Sequence, residues 1–217
     1  MSKIYIIKTG FTDYIEGNLS FLTNGQSMFK GCLNVTTFST DLSSLTNGEQ
    51  MFSGCNYLST FKSDLSSLTS GSSMFMTCSN LTSFTGDLSS LTNGSSMFTS
   101  CSNLTTFTSD LSSLTNGSNM FASCSKLTTF TSDLSSLTSG SSMFGSASYN
   151  STALNLASVQ NIAEKINDLA SQGKTGTIHI GMSKKIKSDD SSAPVNVALA
   201  AIRAKGWTVN EIYNSSL

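Results

Sequence analysis

Apolar residues in this chain come back at the same seven places in every 23 residues. The pair Met-Phe stands at Met28-Phe29, Met51-Phe52, Met74-Phe75, Met97-Phe98, Met120-Phe121 and Met143-Phe144. Between the pairs run five further columns, which in one unit are Cys101, Leu104, Phe107, Leu111 and Leu114. A fixed period of this length predicts a solenoid, in which each coil contacts mainly its neighbours and like side chains stack on like. Seven apolar side chains cannot repay the ordering of 23 residues, so one coil is not expected to fold alone.

Within a coil, the segment Leu104 to Leu111 (LTTFTSDL) is rich in β-branched and aromatic residues and predicts a strand. If Phe107 points inward, a period of two also sends Ser109 and Leu111 inward and leaves Thr106, Thr108 and Asp110 outside. Next comes Asn-Gly or Ser-Gly, as at Asn93-Gly94 and Ser139-Gly140, where glycine is expected to turn the chain at positive φ. The residues from Ser-Met-Phe to Cys predict one helical or 3₁₀ turn on the opposite side.

The ends depart from the unit. Ile4 to Ile7 predicts a first strand ended by Gly10, covering one end of the stack. A degraded first coil begins near Phe11, with Ile15, Leu19, Leu22, Asn24 and Gly25 on repeat positions. After Phe144 the cysteine column gives way to Ala147, while Leu156 to Asn161 keeps the Leu-Ser-Ser-Leu-Thr-Asn pattern one residue early. Ile162, Ile166 and Leu169 then mark a helix with Asn161 as N-cap, followed by a strand over Thr175 to Gly181. Lys184 to Asp190 predicts a polar loop, Ser192 and Pro194 open a helix through Ala204, and Trp207 to Tyr213 predicts a last strand. The expected division is 1–27 for the first strand and degenerate coil, 28–160 for the solenoid, and 161–217 for an αβαβ closing or docking region. Trp207, the one tryptophan, is expected to pack within that region, with an exposed anchor for a partner as the alternative.

Composition narrows the function classes. Charged residues are 12% of the 217 and the net charge is −1, with no dense Lys/Arg cluster to follow a phosphate backbone, so nucleic acid is not an expected partner. No apolar run reaches the roughly 18 to 20 residues that cross a bilayer, and MSKIYIIKTG does not read as a secretory signal. The five cysteines share one repeat position, which predicts buried thiols acting as small apolar groups; disulfides between coils and metal binding are the alternatives. No cofactor is expected. The single histidine, His179, lies in the tail and is expected to be structural; no nucleophile elbow or phosphate-binding loop occurs. Repeated residues make poor active sites, which need different groups converging on one point.

Three polar columns remain as candidates for recognition. Asp41, Asp64, Asp87, Asp110 and Asp133 would stand about 4.8 Å apart and repel one another. Each could accept backbone N–H groups of the following Ser-Ser in an Asx turn, share calcium between coils, or form an acidic recognition stripe. Thr37, Thr60, Ser83, Thr106 and Thr129 form a second column, and Ser39, Lys62, Thr85, Thr108 and Thr131 a third. These two are either a water-soluble β face or a flat hydrogen-bonding surface for a ligand, with Lys62 the one interruption.

The motif MF-x-x-C-x-x-L-x-x-F-x-x-DLSSLT-x-G resembles the BspA-type leucine-rich repeats, including their short mycoplasma-like surface repeats, over roughly Phe11 to Phe144. The resemblance implies an α/β leucine-rich-repeat-like right-handed solenoid with a parallel sheet on one face. It also implies a non-enzymatic binding or adhesion protein, since relatives are mostly surface proteins of bacteria and some protists, with similar repeats in phages of gut bacteria. The expected role is a phage virion or surface-assembly component that recognises a host protein or glycan through the repeat face. An architectural decoration subunit and an intracellular protein-interaction module are the alternatives. The expected location is a virion or extracellular surface, with the cytoplasm as the alternative, and a homo-oligomer or larger assembly is among the expected partners.

Overall fold

The computed structural model describes residues 5–8, 13–16, 18–145 and 152–214. Ile4, Gly10, Phe11 and Ala147 lie outside them. Strands β1 (Tyr5–Lys8) and β2 (Asp13–Glu16) form an antiparallel pair, and β2 then pairs in parallel with β3 (Val35–Phe38). Each later coil adds a short parallel strand: β4 (Thr60–Phe61), β5 (Ser83–Phe84), β6 (Thr106–Phe107) and β7 (Thr129–Phe130). The ladder runs β1-β2-β3-β4 and then β5-β6-β7, with Thr106 opposite Thr129 and Phe107 opposite Phe130. Like residues thus face like across a shift of 23, as a right-handed leucine-rich-repeat solenoid requires.

The strand is shorter than the eight residues expected. Only Thr106–Phe107 is regular: the coil bends away from its neighbour before Asp110, whose Oδ1 accepts Ser112 N within the coil. In one coil a side chain also reaches across, Ser63 Oγ donating to the Thr40 carbonyl at 2.6 Å. Leu104, Phe107 and Leu111 are buried and Ser109 is half-buried, so the inward set holds; Thr106, Thr108 and Asp110 are exposed.

No helix or 3₁₀ turn forms across Met-Phe. Instead alternate N–H groups close tight turns inside the coil, such as Met97 to Gly94 O and Thr99 to Ser96 O, while those between them reach the next coil. Ser96 N donates to Ser118 O at 2.8 Å, Phe98 N to Met120 O at 2.9 Å, and Ser100 N to Ala122 O at 2.8 Å. A helix would spend all these donors within one coil and leave the neighbours unconnected.

The glycine column also works differently from the expectation. Positive φ falls two residues later, at Gln50, Ser73, Ser96 and Asn119, with φ of 55° to 58°. Gly48, Gly71, Gly94 and Gly117 are instead needed for space: a Cβ on Gly48 would lie 2.8 Å from Met74 Sδ, and one on Gly94 3.2 Å from Met120 Cε of the next coil.

Two phenylalanine columns fill the interior. Phe52, Phe75, Phe98 and Phe121 stack at 5.4 to 5.6 Å with nearly parallel rings, and each meets the second column edge-on, as Phe98 does Phe107 at 5.3 Å and 65°. Such pairs add about 0.5–1.5 kcal/mol each beyond simple burial.

The tail is the expected αβαβ unit. Helix α1 is Leu156–Lys165, β8 is Gly176–Ser183, α2 is Pro194–Ala204 and β9 is Trp207–Asn214, with β8 and β9 parallel. Its first helix begins earlier than expected: Asn155, not Asn161, is the N-cap and accepts from Ser158 N. The Leu156 to Asn161 segment therefore keeps the letters of the coil corner but is wound into helix, and α1 crosses the expected 160/161 boundary. Ser192 does not cap α2; Ala193 precedes it, with Pro194 fixing the first turn. Lys184–Ile186 is a 3₁₀ turn within the expected loop. Trp207 is 2% exposed and its Nε1 donates to Asn167 O, which makes it a packing residue.

Two predictions follow from this packing. Gly94→Ala should cost about 1–3 kcal/mol through overpacking, whereas Ser96→Gly, relieving a left-handed residue, should be neutral or stabilising; urea melts of both variants compare them. Removing residues 97–119, one whole unit, should leave a cooperatively folded chain with a smaller urea m-value, while removing one residue fewer should unfold it, as circular dichroism would show.

Candidate functional site

The outer face of the sheet carries the two hydroxyl columns. Thr37, Ser83 and Thr106 are exposed and Thr60 and Thr129 half-buried; beside them Ser39, Lys62, Thr85, Thr108 and Thr131 are all exposed. Phe38, Phe61, Phe84, Phe107 and Phe130, which lie between the columns in sequence, are buried at 0 to 3% exposure and hold the backbone flat beneath them. None of these hydroxyls, nor the Lys62 ammonium, has a hydrogen-bond partner among the described residues. Donors and acceptors are therefore presented to whatever lies over the face.

A different threonine column does the structural work. Thr46 Oγ1 donates to Thr23 O, Thr69 to Thr46 O, Thr92 to Thr69 O, Thr115 to Thr92 O and Thr138 to Thr115 O, each at 3.0 or 3.1 Å. The same carbonyls also take two backbone N–H groups from the following coil, as Thr92 O does from Thr115 and Asn116. Sequence reasoning passed over this column; its signal was that threonine is never exchanged for serine there, whereas the outer columns mix the two.

The aspartate column forms Asx turns. Asp41, Asp64, Asp87 and Asp110 each accept the backbone N–H of the residue two further on through Oδ1 at 2.8 Å, and Asp133 does so at 2.7 Å. At Asp64 the bonds from Ser66 hold the carboxyl below the usual carboxylate range. Asp41, Asp64, Asp87 and Asp110 are exposed and Asp133 is half-buried. Among the described residues no three His, Cys, Asp or Glu side chains converge as a metal site would need.

All five column cysteines are free thiols; Cys32, in the first complete coil, is half-buried, and the other four lie inside the stack. Cys55, Cys78, Cys101 and Cys124 are fully buried thiols whose Sγ donates to the carbonyl of the Phe 26 positions earlier, at 3.1 to 3.3 Å. Burial pushes the Cys55 thiol up to about 12 and raises the other three as well, so none is a ready nucleophile.

At the far end, the tail replaces a missing coil. On the strand side it supplies donors: Ala153 N to Leu127 O, Asn155 N to Thr128 O, Asn161 Nδ2 to Ser132 O, Asn167 N to Leu134 O and Asn167 Nδ2 to Leu137 O. On the Met-Phe side it supplies acceptors: His179 Nδ1 takes Ser142 N at 2.9 Å, and His179 O takes Phe144 N at 3.2 Å. The Lys205 ammonium binds the carbonyls of Ala163, Glu164 and Ile166, closing the C-terminus of α1. His179 is thus structural, and these closing residues could not be found from the repeat because they lie outside it.

No helix among the described residues is long and apolar enough to cross a membrane. A structural comparison aligns 58% of this chain with 77% of a leucine-rich repeat protein of T. pallidum (TpLRR), at 15% identity and a TM-score of 0.32, too loose a likeness to argue from. Among curated proteins no match is found. The sequence profile described as BspA type leucine rich repeat region, however, matches in six copies over residues 22–150 and 66–172. Those matches take in all the complete coils and the first helix of the tail, and the chain belongs to the BspA-type leucine-rich repeat family.

Proposed function

We propose that this protein is a non-enzymatic binding module that meets a protein or glycan through the outer face of its repeat sheet. The observation carrying this reading is that the hydroxyls of Thr37, Thr60, Ser83, Thr85, Thr106, Thr108, Thr129 and Thr131 are left without internal partners while neighbouring columns are consumed by the stack. Unpaired hydroxyls at regular spacing suit many weak contacts made together, which gain affinity through their number. The exposed carboxylates of Asp64, Asp87 and Asp110 follow the outer hydroxyl column by two residues and add acceptors beside it. The setting that fits the resemblance is a virion or other surface assembly, in which the protein stands with copies of itself or other subunits. Mass spectrometry of purified particles from the source would test that setting.

Lys62 shows that the outer column tolerates a long cation without loss of the fold, so lysine is the natural probe. Thr85→Lys with Thr108→Lys stacks two lysines on Lys62 and should cost no more than about 1–2 kcal/mol in thermal stability, since exposed like charges are screened by water. The same pair should reduce binding to host cells or to a glycan array at least about tenfold, a loss of roughly 1.4 kcal/mol. Lys62→Thr should hold or raise it. Unchanged binding in the double variant would remove the sheet face from consideration and favour an architectural role for the rod.

A further inference from the structure

The joint between the last coil and the tail contains one group that the other joints lack. At this place in every earlier coil, the N–H is received by a backbone carbonyl: Ser27 N by Glu49 O, Gln50 N by Ser72 O, Ser73 N by Ser95 O, Ser96 N by Ser118 O and Asn119 N by Ser141 O. At Ser142 the acceptor is instead the imidazole nitrogen Nδ1 of His179, at 2.9 Å. A carbonyl does not titrate; imidazole is the side chain whose ordinary pKa lies closest to neutrality.

We propose that His179 is an acid-sensitive latch: protonation of Nδ1 sets two donors against each other and releases the tail from the Met-Phe edge of the last coil, while the coils themselves stay folded. Because Nδ1 accepts Ser142 N, the neutral ring carries its proton on Nε2; Asn210 Nδ2 lies 3.1 Å from Nε2, and the amide has to turn over to offer its oxygen to that proton. Among the described residues, no charged side chain facing the ring offsets the change. The facing segment Ser139 to Phe144 carries none, nor does Thr177 to Gly181 of β8. On β9, Asn210 faces the ring, and its neighbour Glu211 is bound to Arg203 of α2 and to Tyr213. The ring is half-buried, and burial alone lowers its pKa below the ordinary histidine value. A base whose folded pKa is depressed contributes stability that is full above its unfolded pKa, about 6.5, and is lost as pH falls toward the folded value. The remaining bonds of the joint lie on the same short stretch: Phe144 N to His179 O, Leu154 N to Gly181 O, and the Thr152 hydroxyl to Phe144 O and Gly181 O. They are expected to loosen with it. The Asp64 carboxyl, held below the usual carboxylate range by Ser66, keeps its Asx turn through this window.

Hydrogen exchange of the full chain at about pH 7.5 and about pH 5, expressed as protection relative to the intrinsic rate, reads the latch. Protection of the Ser142 and Phe144 amides should fall severalfold in acid, while that of Ser96 and Phe98, which donate to carbonyls, should not. His179→Asn, which offers a non-titrating acceptor, should abolish the difference between the two conditions. Equal protection of Ser142 at both pH values, a fall shared by Ser96 and Phe98, or a fall that persists in His179→Asn would each overturn the proposal. Nitrogen chemical shifts of the His179 ring in the unmodified chain give an independent reading: a proton on Nδ1 at about pH 7.5 would also overturn it.

Discussion

The structure depends on a directional hand-over of backbone hydrogen bonds between coils. On the Met-Phe side each coil donates forward, as Phe75 N does to Met97 O; at the Thr-Asn corner each coil donates backward, as Thr92 N does to Thr69 O. Such a stack has complementary surfaces along its length but unlike needs at its ends. Its last coil is left with unused donors on one side and unused acceptors on the other, and unpaired buried groups of this kind cost about 1–3 kcal/mol each. The αβαβ tail answers both needs at once, with Asn and backbone donors over the acceptors and His179 over the donors.

The same hand-over dictates the interior. Coils joined at the spacing of hydrogen-bonded strands bring identical side chains into register, and few side chains tolerate their own copy directly above and below. Flat phenylalanine rings do, by stacking within a column and meeting the other column edge-on. Methionine does so by lying over a glycine of the preceding coil, which explains why Met-Phe and Gly recur together although neither touches the outer face. Cysteine does so as a small group that gives its thiol hydrogen to a carbonyl of the coil before it.

Much of this was legible in the residues because a repeat states its own geometry: the period, the inward columns and the four elements of the tail are visible as spacing. What was not legible depended on bonds between coils. The strand over Leu104 to Leu111 reads as long because its residues favour β structure, but the coil bends there and the Asp110 carboxylate takes up a backbone N–H within the coil. Gly94 read as a turn residue because glycine usually is one, yet the left-handed residue is Ser96 and the glycine clears room for a side chain 26 positions on. Helix α1 starts earlier than its apolar spacing suggests because Leu156 to Asn161 spells a coil corner. With no further coil to pair with, that spelling takes up helix and turns its apolar residues Val159 and Ile162 onto the stack.

The candidate face follows from the same division of labour. Hydroxyl columns differ in how closely the stack holds them. The one from Thr46 to Thr138 bonds its neighbour at 3.0 or 3.1 Å, and the one containing Ser59, Thr105 and Thr128 does so at 3.1 to 3.4 Å and admits serine. The outer two make no such bond among the described residues. The column from Thr46 to Thr138 is invariant because its hydroxyl must reach a carbonyl at a set distance, and its methyl fixes the rotamer that does so. The outer columns accept Ser, Thr and Lys because the fold asks nothing of them beyond compatibility with a strand. That freedom makes the face available for recognition: its chemistry can change residue by residue while the rod beneath keeps its shape, so specificity and stability are carried by different columns of the same coil.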